Sequence, residues 1–382
     1  MTPSRCDVLV LGGGGAGCSA ALHLARRGVR TTLLERGRVG GQASGVNYGG
    51  VRQQGRHPAE LPLARRSQAM WREARSWLGA DVEFVQTGHL KLARSDAEEA
   101  ELVAYLDVAR GHGLALRLLR RAALHDAFPW LGPRVQAGTL APEDGCANPR
   151  LLAPTIARAA REAGADLHEG AEVVETAHDG SLFHLATRSG ERFAAPVLLN
   201  TAGFWGGRVA AAFGEPVPVE PLSPNMFVTE PIRYFVEPNL GVVGGNVYLR
   251  QIPRGNVIVG AGHGESDPAA PWSRPLPEVT LHGIALALEL VPALAGAHVI
   301  RSWTGIDGDL PDRIPVIGPS ATTPGLWHAF AFCGHGFQLG PVVGAILSEL
   351  VLDGRTDVPL DAFRIDRFAH AGPGPLRSPR QP

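Results

Sequence analysis

Gly12-Gly13-Gly14-Gly15-Ala16-Gly17 follows a short apolar run, Cys6 to Leu11, and leads into small and apolar residues from Ala16 to Arg27. That order fits G-x-G-x-x-G set between a buried parallel strand and a helix. Gly12 permits a tight turn, Gly14 lets backbone approach a pyrophosphate, and Gly17 lets the helix pack close to the sheet; Gly15 and Ala16 complete the loop. The helix start offers N–H groups and a positive dipole end to phosphates. Val29 to Leu34 reads as a second strand, and Glu35 stands at its end, 18 residues past Gly17, where a carboxylate accepts both hydroxyls of a ribose. A glycine motif alone is weak; strand, glycines, helix, strand and acid in this order indicate a dinucleotide site rather than a structural turn. NAD and FAD share the fingerprint. The one near repeat, Gly260-Ala261-Gly262-His263-Gly264, runs into Glu265 and Asp267-Pro268, which block the helix, so a single dinucleotide is expected.

The elements that must hold this site are interleaved along the chain. Residues 37–55 contain seven glycines and little periodicity, a length of irregular chain that is more often functional than connective. Helical patterns occupy about 60–78, 96–112, 149–163 and 276–290, with antiparallel-type alternation over 82–93 between the first two. Residues 171–200 read as short strands, and 217–262 are rich in β-formers. Residues 326–332, a glycine loop and 341–354 form a closing strand–loop–helix unit. The pattern predicts α/β plus α+β architecture: a Rossmann-like dinucleotide domain from 1–80, 142–215 and 302–370, interleaved with a mostly antiparallel β substrate domain from 81–141 and 216–301. Residues 371–382 read as a flexible tail.

Composition narrows the class. Hydrophobic residues make up 45% of the 382, charged residues 19%, and the formal net charge is −1, which argues against disorder and against a basic field for nucleic acid. No apolar run approaches the roughly 20 residues of a membrane span. The opening residues pass straight from strand to glycine turn, with no cleavable segment before them. The four cysteines are scattered without a CxxC pair, and no metal-ligand spacing or Ser/His/Asp arrangement stands out, so neither a metal nor a disulfide framework is expected. These features fit a reducing cytoplasm. Only Lys91 among the 36 basic residues is a lysine; most buried cations must therefore be guanidinium groups, which keep their proton.

Four segments carry a resemblance along nearly the whole chain: the opening glycines with Glu35, PEDGCANPRLL (142–152), VLLNTAGFWGGRVA (197–210), and DRIPVIGP (312–319) with CGHGFQLGPVVG (333–344). The chain resembles the FAD-dependent glycine/D-amino-acid oxidase-like (DAO) family. SGVNYGGVRQQGR, MFVTEP (226–231) and CGHGFQLGP are similar to the catalytic subunits of opine oxidases, D-hydroxyproline dehydrogenases and hydrogen cyanide synthase. The resemblance implies FAD, with Asn200-Thr201-Ala202-Gly203 beside its pyrophosphate. Gly334, Gly336, Phe337 and Gln338 would curl around the flavin pyrimidine ring, ahead of a helix from Pro341. Arg36, Ala43, Ser44 and Val173 are further candidate cofactor contacts. Cys333, beside the closing loop, reads as packing.

Two departures from the family pattern matter. SWTGIDGDLP (302–311) lacks the cysteine through which sarcosine oxidases attach the flavin, so FAD is expected to bind non-covalently. Gln338 stands in the closing loop, and Lys91 is remote in sequence from every flavin motif, so a lysine that speeds reaction with oxygen is not expected. This tilts the reading toward a dehydrogenase, with oxygen, a quinone or a partner flavoprotein left open as acceptor. The family reaction moves a hydride from the carbon beside an amine to flavin N5, and a carboxylate on the substrate needs a cationic clamp. Arg52 and Arg250 are the candidates for that clamp; Arg313 is a weaker one that could simply pair with an acid nearby. His335 and His263 could set the protonation of the amine, and Tyr48 and Tyr248 could line its cage. The expected substrate is a small amine or amino acid of D-amino acid, imino acid or opine type. Two other roles stay open: an FAD-bearing subunit of a hetero-oligomer, and a tailoring oxidase for a carrier-bound amine.

Overall fold

The computed structural model describes residues 3–369. Val8–Leu11 is buried on both faces and pairs in parallel with Thr31–Glu35 on one side and Val197–Asn200 on the other. A strand enclosed in this way has no use for polar alternation, which is why its sequence is continuously apolar. Asp166–Glu169 extends the sheet beyond Thr31–Glu35, and Leu326–Phe330 extends it beyond Val197–Asn200. Val316–Pro319 closes that edge antiparallel. Helix Gly15–Arg26 lies on this sheet beside the closing helix Gly336–Asp353. The two approach closely because Gly344 carries no side chain: a methyl group there would meet Ser19 Cβ at 2.4 Å and Ala16 O at 2.5 Å. Ser19 Oγ also donates to Pro341 O at 2.7 Å.

The closing helix departs from expectation in two respects. It begins at Gly336 and carries Pro341 inside it, rather than starting at the proline. Gly340 precedes the proline and has no Cβ to collide with the ring, so the usual bar to helix at that position is absent. The helix is also long and apolar enough to cross a membrane by length and composition, but most of it is buried within the protein. Its apolar character belongs to the core.

A second, eight-stranded sheet draws its strands from distant parts of the chain. In order they are Val299–Trp303, Pro224–Thr229, Val257–His263, Val247–Gln251, Asn239–Val242, His89–Ala93, Ala137–Ala141 and Arg117–Arg120. Every neighbouring pair is antiparallel except Asn239–Val242 with His89–Ala93. Leu90, Leu92, Leu240, Leu249 and Val259 build a core beneath it, separate from the core around the glycine-turn helix. The alternation read over 82–93 becomes strand only from His89. Glu83 sits at φ +55°, and the preceding stretch makes a single bridge, Val85 with Cys146. Arg121–Ala127 and Gly206–Ala212 are short helices with too few turns to leave a periodic signal. The expected tail, 371–382, lies outside the described residues.

Candidate cofactor and substrate site

One cavity of about 2900 Å³ runs from the glycine turn, past the glycine-rich segment, to the face of the eight-stranded sheet. Gly12, Gly14, Gly15 and Ala16 line one end of it, together with Glu35, Arg36, Ala43, Ser44, Val173, Ala202 and Gly203. Gly12 takes φ +109°, and Gly17 is pressed so close that a methyl group would stand 2.0 Å from Gly12 O. Glu35 accepts hydrogen bonds from Gly13 N at 2.8 Å and Gly37 N at 2.7 Å, which fixes the carboxylate over the turn. Gly15 N donates to Ser44 Oγ at 3.0 Å. The Arg36 guanidinium lies 3.5 Å from the Trp205 ring centroid, and its buried Nη2 has no hydrogen-bond partner. A glycine cradle, an acid held over it, an unpartnered guanidinium nitrogen and a long trough together fit a dinucleotide of FAD's length.

Cys333, Gly334, His335, Gly336 and Phe337 reach the cavity at its other end. Because the closing helix starts at Gly336, its first-turn N–H groups and positive dipole end stand in this wall. Gly334 N donates to Asp307 Oδ2 at 2.8 Å. Burial raises Asp307 to about 6, against hydrogen bonds from Gly334 and Gly308 that lower it. Gln338 does not belong to this wall. It is fully buried, its Nε2 donates to Ala64 O at 2.9 Å, and its Oε1 accepts from Arg56 Nη2 at 3.3 Å. The helical turn that presents Gly336 and Phe337 to the cavity rotates Gln338 into the protein.

His335 Nδ1 and Glu60 Oε1 are 2.8 Å apart. Burial, then the charge of Arg56, lowers His335 to about 4, so the ring is neutral near pH 7. Glu60 stays ionised: burial alone would raise it, yet His335 and Arg56 hold it below its usual range. A neutral ring beside an ionised acid carries its proton on Nδ1 and leaves Nε2 as an acceptor.

Arg52, Tyr48, Tyr248 and Met226 line the adjoining wall. The two tyrosine rings meet edge to face at 4.9 Å. Each is seated on a glycine: a methyl group at Gly50 would touch Tyr48 at 2.4 Å, and one at Gly260 would touch Tyr248 at 2.2 Å. Burial raises both phenols, Tyr248 to about 12, so they keep their protons. Arg52 Nη1 donates to Gln54 O, and the residue lines the cavity. Arg250, the other candidate for the clamp, is buried behind the wall. Its Nε donates to Tyr48 O and its guanidinium packs under Gly49, so it props the tyrosine instead of reaching the cavity. Arg313 is paired with Asp309 at 2.8 Å. His263 lines the cavity.

Lys91 overturns the expectation drawn from its place in the chain. The fold brings it onto the same cavity wall, along with His89. Leu90 and Leu92 point into the core beneath the sheet, so strand alternation turns His89 and Lys91 to the opposite face. That parity was available in the sequence; the neighbourhood was not. Glu60, Asp307 and Trp205 also escaped sequence reasoning, since nothing local marks an acid or an aromatic whose partner lies far along the chain.

Residues 7–350 match the family of FAD dependent oxidoreductases (DAO). The chain is 28% identical over 371 residues to glycine oxidase from Geobacillus kaustophilus, covering 95% of this chain and 97% of that one. It is likewise 28% identical over 372 residues to sarcosine oxidase subunit beta from Rhizobium meliloti, covering 95% and 88%. Among solved structures, L-proline dehydrogenase from P. horikoshii superposes with a TM-score of 0.88 at 26% identity, covering 97% and 99%. With a family match over most of its length and the glycine cradle in place, the chain belongs to the FAD-dependent oxidoreductases of the DAO family.

Proposed function

We propose that this protein oxidises the C–N bond of a small amino acid or secondary amine to an imine, which water then hydrolyses. The observation that carries the reading is the continuity of one cavity, from the dinucleotide cradle to a pocket walled by Arg52, the two tyrosines and His335. Glycine oxidase, sarcosine oxidase subunit beta and L-proline dehydrogenase, the relatives compared above, are named for small amino acids of this kind. Bound FAD supplies the hydride acceptor, N5 of its ring system.

The chain's own residues do the rest. Arg52 grips the substrate carboxylate with a planar fork. Tyr48 and Tyr248 enclose the carbon skeleton and exclude water, which strengthens the interactions inside. His335 Nε2 accepts a proton from the substrate ammonium, freeing the lone pair that drives hydride loss. The first-turn N–H groups at Gly336 and Phe337 give this wall a positive dipole end, which would favour negative charge on a reduced flavin held against it.

Anaerobic mixing with a panel of D-, L- and N-alkyl amino acids tests the proposal by flavin bleaching. Bleaching by one class supports it; a panel that leaves the flavin oxidised removes its basis. If the flavin bleaches only when the chain is purified with a second polypeptide, the hetero-oligomer reading takes over. Re-aeration then identifies the acceptor. Lys91 on the cavity wall removes the sequence-based reason for preferring a dehydrogenase, so recolouring within a turnover would mark an oxidase.

A further inference from the structure

The glycine-rich segment brings Arg52 to the cavity, and its backbone is held from behind. Gly50 and Val51 pair with Cys146 and Gly145, and Ala147 N donates to Gly49 O at 2.9 Å. That pairing stops at Val51, one residue short of Arg52. Beyond it the side chain of Asp144 takes over. Its Oδ1 accepts from Gln53 N at 2.8 Å and from Gln53 Nε2 at 3.3 Å, and its Oδ2 accepts from Gln54 N at 3.1 Å. Gln54 O in turn accepts from Arg52 Nη1, and Arg52 O accepts from Arg56 Nε at 3.1 Å. Among the described residues the Arg52 guanidinium makes no ion pair. It stands beside Lys91: a methyl group on Gly55 would lie 3.3 Å from Lys91 Nζ and 3.4 Å from Arg52 Nη1.

Asp144 is itself firmly seated. It is fully buried, its O accepts from Gly88 N at 2.8 Å, and its N donates to Ala141 O at 3.3 Å. Gln54 Nε2 donates to His89 O at 3.1 Å and Thr139 O at 3.0 Å, which ties the turn after Arg52 to two neighbouring strands of the eight-stranded sheet. Two amide donors converging on one side chain need two acceptor oxygens, and a carboxylate supplies both without a donor of its own. Burial raises Asp144 to about 6, against the amides of Gln53 and Gln54 and the charge of Arg52, so it is ionised near pH 7. The carboxylate does not line the cavity. A buried charge is costly, and what this one stabilises is the turn that carries Arg52.

We propose that Asp144 is a positioning residue for the substrate: by fixing the backbone of Gln53 and Gln54, it aims the Arg52 guanidinium at the substrate carboxylate. This rests on the reading of Arg52 as the clamp, given above. Orientation is what such a contact needs, because a planar fork grips a carboxylate well in few geometries. The rigidity of the sheet reaches the clamp through an acid that never touches the ligand.

The test is binding without turnover. (Methylthio)acetate, in which sulfur replaces the oxidisable N–H, is compared with (methylthio)acetamide, its uncharged counterpart. Each is titrated into the FAD-loaded protein and followed by calorimetry and by perturbation of the flavin spectrum. The unmodified protein is expected to favour the acid by at least about tenfold, the scale of one charge-assisted contact. Asp144→Asn turns one acceptor oxygen into a donor that opposes an amide N–H. It should erase most of the preference while leaving the affinities for the acetamide and for FAD unchanged. Arg52→Met should erase the preference too, and the double variant should lose no more than either alone. A preference that survives Asp144→Asn overturns the proposal, as do additive losses in the double variant or equal losses for acid, acetamide and FAD. So does an unmodified protein that binds both probes alike. If Asp144→Asn fails to load FAD, amide exchange in the unmodified protein decides. The N–H groups of Gln53 and Gln54 should exchange more slowly when saturated with the acid than with the acetamide, and equal rates overturn the proposal. If Arg52→Met keeps the preference, Arg52 is not the clamp and the proposal falls with it. If no amine bleaches the flavin while both variants lose the preference, amine oxidation fails and the positioning role stands.

Discussion

His335 sits where a few fixed charges decide what a side chain can do. Its value of about 4 stands well below the ordinary 6.5, and the causes are burial first and then the Arg56 guanidinium. Glu60 pulls the other way, so removing that acid would depress the ring further. Removing the Arg56 charge does the opposite: the histidine rises toward its ordinary range, and a protonated ring can no longer accept the ammonium proton. Arg56→Gln is therefore expected to lose flavin-reduction rate on the acid side at a higher pH than the unmodified protein, whereas Arg56→Lys keeps the charge and the original profile. Limiting rates measured from about pH 5 to 8 read the difference. A common acid limb in all three proteins would remove His335 from the proton's path. The histidine itself was conspicuous in CGHGFQLGP, but Glu60 was not, because 275 residues separate the pair.

Elements act on the site by how closely they approach one another. The glycine turn works because helix Gly15–Arg26 can lie against the strand that feeds it, and Gly17 is the contact. A methyl group there would stand 2.0 Å from Gly12 O and 2.5 Å from Thr201 Oγ1. Both atoms belong to the cradle, and neither is the free end of a long side chain. Gly17→Ala must open the turn, and overpacking of this kind costs about 1–3 kcal/mol, which would weaken FAD binding by roughly 5- to 150-fold. Gly296→Ala is the control, since nothing lies within 4 Å of a methyl group there and its φ is unexceptional. Equilibrium dialysis of FAD separates the two variants, and equal affinities would mean that the turn tolerates a side chain. These local devices were legible because each is written in consecutive residues: the glycine spacing, the enclosed strand, the acid at the end of its neighbour. The eight-stranded sheet was legible only as a tendency. Its parallel join of His89–Ala93 to Asn239–Val242 links segments that no turn connects, so no local pattern could place Lys91 beside Arg52. Arg250 misled for the same reason. Its position in a strand was readable, but whether its fork passes through the wall or stops behind Tyr48 depends on how closely Gly49 lets the two segments meet.

At the scale of the whole molecule, the cavity separates the hydrophobic core under the glycine-turn helix from the one under the eight-stranded sheet, and it takes lining residues from both regions. A ligand filling it couples the two, so FAD should stabilise the fold by mass action: at about 100 times its dissociation constant the gain is roughly 2.7 kcal/mol. For a chain of this size that amounts to a rise of a few degrees in the unfolding midpoint, growing with each further addition of FAD. The dependence on concentration exists only if the cofactor leaves on unfolding, and the cavity wall bears on that point. Among the described residues Cys333 is the one cysteine lining it. Its Sγ donates to Ala331 O at 3.2 Å, and burial raises the thiol far above its usual range, with Asp309 and Asp307 adding to the rise. A thiol that cannot ionise is a poor nucleophile toward a flavin ring. Acid precipitation should accordingly leave a colourless pellet and a yellow supernatant, with the intact polypeptide at the mass of its 382 residues. A yellow pellet, or a mass increased by one FAD, would show instead that some group on this wall reaches the cofactor covalently, and the unfolding midpoint would then cease to respond to added FAD.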